Sequence, residues 1–338
     1  MTNSRSEDPF PPAGLWKDEP GTGGPPPEIR SDFPAQAELA RLRGAIPPGI
    51  YFGTSSWTYP GWKGLVYTQE YPAAGAGADM LAEYARFPLF GTVGIDSSFY
   101  TPLTEKTLRG YAGALPPGFP CVSKVWDRLT VHTFAEAREK TKAGQRNPDF
   151  LNAELFISDV WQPLTEHFSE HRGPLVFEFQ TIARKDKVGP RRFADQLDEF
   201  FGKLPPEGRY AVEVRNAEFL TPAYFAVLRE HDVAHVFSSW TRMPSIGMQL
   251  ELPGSLTAGF LVARALLRPG RYYADAVDAF APYDRIRDPN PELRSDLVRL
   301  VETAEQLRIP AYILVNNRAE GSAPLTIVAV AQMLAGRE

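Results

Sequence analysis

The chain has 338 residues, 43% of them hydrophobic and 23% charged, with a formal net charge of −5. That balance suits a globular fold and excludes fibrous, collagen-like and wholly disordered chains. A single cysteine, Cys121, excludes an internal disulfide framework and a cysteine-rich zinc site and fits a reducing compartment, while the negative charge exerts no bulk pull on nucleic acid or an anionic membrane.

Residues 1–46 hold eight of the 32 prolines and the run Gly21-Thr-Gly-Gly-Pro-Pro-Pro27. Such a stretch buries too little apolar area to offset its ordering entropy, which predicts a mostly disordered, Pro/Gly-rich extension. The spacing of Leu39 and Leu42 predicts one short helix near residues 34–43. The N-terminus lacks the apolar core of a secretory signal, and no apolar run approaches the roughly 18 residues of a membrane span. A cytoplasmic protein with no membrane partner is therefore expected.

From about Gly49 to the end, β-branched and aromatic runs alternate with helical stretches, predicting a single domain over 47–338 built of βα units. Eight strands are predicted: Ile50–Ser55, Thr92–Asp96, Cys121–Val125, Leu175–Phe179, Tyr210–Val214, Ala234–Ser238, Phe260–Arg264 and Ala311–Val315. Helices are predicted over 79–87, 103–114, 149–171, 191–202, 222–230, 291–307 and 325–334, and the sixth connection, 241–253, reads as too short for one. The pattern matches the α/β (β/α)8 TIM-type barrel. An open doubly wound sheet would carry a Gly-rich phosphate turn after its first strand, and Gly53-Thr-Ser-Ser-Trp57 is not that turn.

In such barrels chemistry gathers at the C-terminal ends of the strands. Those ends carry Asp96, Lys124, Glu178, Glu213, Arg215, Arg264, Asn316 and Asn317. Charges in a partly desolvated mouth need partners, so these side chains either form a satisfied ion network or line a polar ligand site. In the second reading Glu178, Glu213 and Asp96 are acid/base candidates, with Lys124, Arg215 and Arg264 as anion holders. Trp57, Tyr59, Trp62, Tyr100 and Trp240 fall around the same mouth, where rings suit stacking against sugars or bases; for Phe99 a core role is expected. Arg268 and Arg271 follow the seventh strand, and Asn317-Arg-Ala-Glu-Gly-Ser322 precedes the last helix, a place where barrels often bind phosphate and where a plain helix cap is equally expected.

His167-Phe-Ser-Glu-His171 matches an inverted zincin motif, but it ends a helix on the face of the barrel that serves stability. With five histidines scattered along the chain, no cofactor is expected, and the sequence does not support a divalent metal. His132, past Lys124 in the third loop, is a further acid/base candidate.

The stretch Gly53-Thr-Ser-Ser-Trp-Thr-Tyr-Pro-Gly-Trp-Lys-Gly64 resembles the opening signature of the YecE-like family, the domain of unknown function 72. Val93-Gly-Ile-Asp-Ser-Ser-Phe-Tyr100, Val-Ser-Lys124 with His132, Val212-Glu-Val-Arg215 and Leu314-Val-Asn-Asn317 extend the resemblance to about residues 50–334. It implies a TIM-type barrel, similar in outline to xylose isomerase and endonuclease IV, with no established activity. Strands two and seven depart from the family pattern at four positions: Gly94 stands where it has glutamate, Asp96 where it has asparagine, and Ala265-Leu266 follows Arg264 where it has Phe-His. Strand four closes on Glu178-Phe-Gln180 where the pattern has Gln-Leu-Pro.

Three functions fit these residues. The first is binding or processing of a phosphate-bearing or nucleotide-like ligand, as a hydrolase if an enzyme, with nucleic acid a further candidate partner. The second is a glycoside hydrolase using Glu178 and Glu213. The third is a non-catalytic binding module, with the proline-rich extension docking a partner. The sequence specifies neither substrate nor oligomeric state.

Overall fold

A computed structural model describes residues 33–72, 75–134, 140–271 and 273–336. Most of the extension expected at residues 1–46 lies outside these. The predicted short helix is present as α1 (Gln36–Gly44), with Leu39 and Leu42 fully buried. The packed chain thus starts before residue 47, where the strand pattern placed it.

All eight predicted strands form: β1 (Ile50–Thr54), β2 (Val93–Ile95), β3 (Cys121–Lys124), β4 (Arg172–Phe179), β5 (Tyr210–Val214), β6 (Ala234–Ser239), β7 (Leu261–Ala265) and β8 (Ala311–Val315). They pair in parallel in the order β1-β8-β7-β6-β5-β4-β3-β2. Alternate side chains point inward and outward. Val122, Val176, Ala211, Val236, Val262 and Leu314 pack inside the barrel. Their neighbours Cys121, Leu175, Phe177, Val212 and Ile313 pack outward under the helices.

The helices are α2 (Gly77–Tyr84), α3 (Glu105–Ala114), α4 (Ala153–Phe156), α5 (Gln162–His167), α6 (Pro190–Phe201), α7 (Pro222–Glu230), α8 (Ile246–Leu250), α9 (Tyr273–Phe280), α10 (Pro291–Leu307) and α11 (Ala323–Ala335). The helix expected over 149–171 is broken. Pro163 has no N–H to give the preceding turn, and the wide turn Ile157–Trp161 joins α4 to α5. Two helices escaped the sequence pattern, α8 in the sixth connection and α9 after β7. In α8 the Gly247 N–H is satisfied by Asp296 of α10 at 2.8 Å, a partner local sequence does not reveal.

The barrel closes between β1 and β2 without a regular ladder. Phe52 O accepts the N–H groups of Gly91 and Thr92 at 2.8 and 3.2 Å. The Tyr84 hydroxyl accepts the Thr54 N–H at 2.8 Å and donates to Thr92 O at 3.1 Å, bridging the two strands. Two glycines permit this approach: a Cβ on Gly53 would stand 2.0 Å from Thr92 O, and one on Gly94 would stand 2.8 Å from Ser55 O.

Candidate functional site

Strand parity builds the site. Val122 and Lys124, Val176 and Glu178, Ala211 and Glu213, and Val262 and Arg264 are two residues apart, so each charged group stands one layer above an apolar one inside the barrel. Glu178 and Glu213 are in register on adjacent strands. Two like charges side by side repel unless cations intervene.

Arg264 supplies the centre. Its Nη1 donates to Glu178 Oε2 at 2.7 Å and to Glu213 Oε2 at 2.5 Å, while Nη2 reaches both oxygens of Asp96 at 2.9 and 3.2 Å. Lys124 Nζ lies 2.8 Å from Glu178 Oε2 and 3.6 Å from Asp96 Oδ2. Arg215 Nη2 lies 2.8 Å from Glu213 Oε1 and 3.2 Å from Glu178 Oε2. Gln180 donates to the second oxygen of Glu178 at 2.9 Å. Three cations thus face three carboxylates.

Burial is deep: the Glu178 and Glu213 side chains are 0% exposed and Arg264 1%, whereas Asp96 keeps 22%. Burial works to raise the Glu178 pKa, but the charges of Lys124, Arg215 and Arg264 outweigh it and hold the carboxyl far below its ordinary range. Burial likewise opposes the charge on Arg264, and Asp96, Glu213 and Glu178 overcome it, so its pKa is raised. Lys124 also sits 4.5 Å above the Phe99 ring, and the Arg215 guanidinium stacks 3.9 Å from Trp240.

The two glutamates share one guanidinium nitrogen, so they are close enough for a paired-carboxylate mechanism. Such a mechanism needs one of them protonated, and the three cations around Glu178 disfavour that role for it. The cluster is mutually compensated, yet it leaves donors over. Arg215 Nε and Nη1 and Arg264 Nε are buried without a hydrogen-bond partner. A shallow cleft bordered by Asp96, Trp240, Arg264, Asn316 and Arg318 opens above the cluster.

Residues 51–338 match the family model described as a protein of unknown function, DUF72. The chain belongs to the DUF72 family. A DUF72 family protein from Thermotoga maritima MSB8 superposes with a TM-score of 0.56 at 19% identity, covering 84% of this chain and 98% of that one. Another, from Enterococcus faecalis V583, superposes at 0.57 and 16% identity, covering 85% and 95%. These likenesses show the shared barrel. No curated protein matches the chain.

In this DUF72 barrel the other predicted residues are distributed unevenly. Trp57 and Trp62 are core residues at 3% and 0% exposure, a correction to their expected place as stacking rings. The chain after β1 folds back, and Trp57 Nε1 donates to Gly77 O at 2.7 Å. Tyr59 packs against Trp62 and Tyr283, and Tyr100 against Phe99. Phe99 is buried at 1% exposure, as expected. Arg268 and Arg271 both pair with Asp288, at 3.0 and 2.5 Å.

Asn316 Oδ1 accepts from Arg318, whose guanidinium lies 5.9 Å from the Tyr283 ring. Asn317 Oδ1 accepts the Ala323 N–H at 2.8 Å, and Pro324 follows with no N–H, so few donors are left at the start of α11. That loop is further held by the buried Glu320, which accepts from Asn290 N and Arg294. His132 stands in a separate group with Thr133 and Phe150. His171 is buried against Phe119 O, at the opposite end of β4 from Glu178. Among the described residues no three His, Cys, Asp or Glu side chains are placed to hold a metal ion, and no helix is long and apolar enough to cross a membrane. Sequence reasoning placed Gln180 at the end of strand four without giving it a role, and missed Asp288 and Arg318; Arg318 lay inside a stretch already singled out, next to the two asparagines.

Proposed function

We propose that this protein binds a small phosphate-bearing ligand at the mouth of the barrel, above the Arg264 cluster. The observation that carries this reading is the surplus of buried guanidinium donors at Arg264, which borders the cleft, and at Arg215, which stacks on the cleft residue Trp240. A buried donor without an acceptor costs about 1–3 kcal/mol, which an oxyanion would recover. Arg318 and Asn316 border the cleft and add a cation and an amide, and Asp96 offers an acceptor for a ligand hydroxyl.

Size narrows the class. The enclosed space at the mouth is only about the size of a water molecule, so the group held there is the phosphate end of a ligand, with the rest lying in solvent. A thermal-shift panel tests the reading. Phosphate monoesters are expected to raise the melting temperature, and neutral sugars to leave it unchanged. The same response to both, or to neither, would overturn it.

A further inference from the structure

A second group on the same end of the barrel is independent of the cleft. His132 is 8% exposed in the β3–α4 loop, with its ring edge-on to Phe150 at 5.1 Å. Its Nδ1 lies 2.9 Å from Thr133 Oγ1, and that hydroxyl donates to Asp186 Oδ1 at 3.1 Å, in the β4–α6 loop. Because the Thr133 proton goes to the carboxylate, the hydroxyl must accept from His132, which places the imidazole proton on Nδ1. Nε2 is then the lone-pair nitrogen, and no described residue hydrogen-bonds to it. The backbone on either side of His132 is held in place: Asn147 Nδ2 donates to Arg128 O and Val131 O, both at 2.7 Å, and Asn147 N donates to His132 O.

The surroundings are cationic. The Arg146 backbone pairs with that of Thr133 through an antiparallel bridge, and Arg192 lies in the first turn of α6, six residues past Asp186; both are exposed. Burial lowers the affinity of His132 for a proton, Asp186 opposes that, and Arg146 and Arg192 add to it.

We propose that His132 is a base whose accepting nitrogen is Nε2, oriented by Thr133 and Asp186, in a site for a phosphate-bearing substrate drawn by Arg146 and Arg192. Thr133 and Asp186 act as positioning residues. An anionic group bound near the arginines would offset their charge and raise the proton affinity of Nε2, so substrate binding would strengthen the base.

Nitrogen-15 NMR of the full chain tests this, with the His132 ring assigned by its loss in His132→Gln. The expected result is a neutral ring protonated on Nδ1, kept in Thr133→Ser and lost to the other tautomer in Thr133→Val. Inorganic phosphate, against chloride at equal ionic strength, is expected to raise the His132 titration midpoint by about one pH unit, the low end of what a near opposite charge gives. The Arg146→Ala/Arg192→Ala variant is expected to lose that rise. An Nε2-protonated ring in the wild type, or a midpoint that phosphate leaves in place, would overturn the proposal. Either result leaves the mouth reading standing, because none of these residues borders the cleft.

Discussion

Arg264 donates from Nη1 to Glu178 Oε2 at 2.7 Å, between side chains that are 1% and 0% exposed. A buried pair of this kind is costly to break, because removing one partner strands the other. Arg264→Met would leave three carboxylates facing two cations. The expected loss is about 3–5 kcal/mol of unfolding free energy, read from urea denaturation. A loss under about 1 kcal/mol, the range of surface pairs, would show that water reaches the cluster.

The barrel seam makes a second prediction. Gly94→Ala gains about 0.4–1 kcal/mol by restricting the unfolded chain, but an added methylene in a packed site costs about 1–3 kcal/mol. The clash with Ser55 O at 2.8 Å is therefore expected to win, lowering the melting temperature. Gly94→Glu, which restores the residue of the resembled pattern, is expected to be worse than Gly94→Ala.

The Tyr84 hydroxyl serves both strands at that seam, bonding Thr54 N and Thr92 O. Tyr84→Phe keeps the ring and strands two buried backbone groups. The expected cost is about 1–3 kcal/mol in urea denaturation.

Much of this fold was legible in the chain. Strands such as Tyr210–Val214 and Leu261–Ala265 are mostly apolar runs buried on both faces, and towards their ends stand the charges that meet in the mouth. What sequence left open was the balance between compensation and surplus. Whether Glu178 faces Lys124, Arg215 and Arg264 at once depends on three other strands. The tryptophans misled for a similar reason: proximity to a strand end places Trp57 and Trp62 near the mouth, but the returning loop buries them. Gly94 and Gly53 gave no local signal, since the atoms that exclude a side chain belong to the neighbouring strand.

Acid stability supplies a further prediction. His235 is fully buried, with ring nitrogens 3.2 Å from the Tyr224 hydroxyl and 3.2 Å from Gln249 Oε1. Burial lowers its pKa from 6.5 to about 4, with the Gln249 bond opposing the shift. A histidine held neutral in the fold contributes stability above its unfolded value, and that contribution is lost as pH falls through the folded value. Urea midpoints are expected to drop between about pH 6.5 and 4, by up to about 3 kcal/mol from this group. Glu178, with its depressed pKa, adds a loss that begins below about pH 5. His235→Gln is expected to flatten the upper part of the curve.

Isothermal titration of a sugar phosphate into the wild type and into Arg318→Ala is the most direct test of the mouth. Arg318 borders the cleft but stands outside the Arg264 cluster, so its loss leaves the buried ion pairs intact. The account predicts saturable binding to the wild type, weakened about tenfold or more in the variant, as befits a charge-assisted contact worth about 1.5–3 kcal/mol. Equal binding by both proteins, or no binding by the wild type, would contradict it.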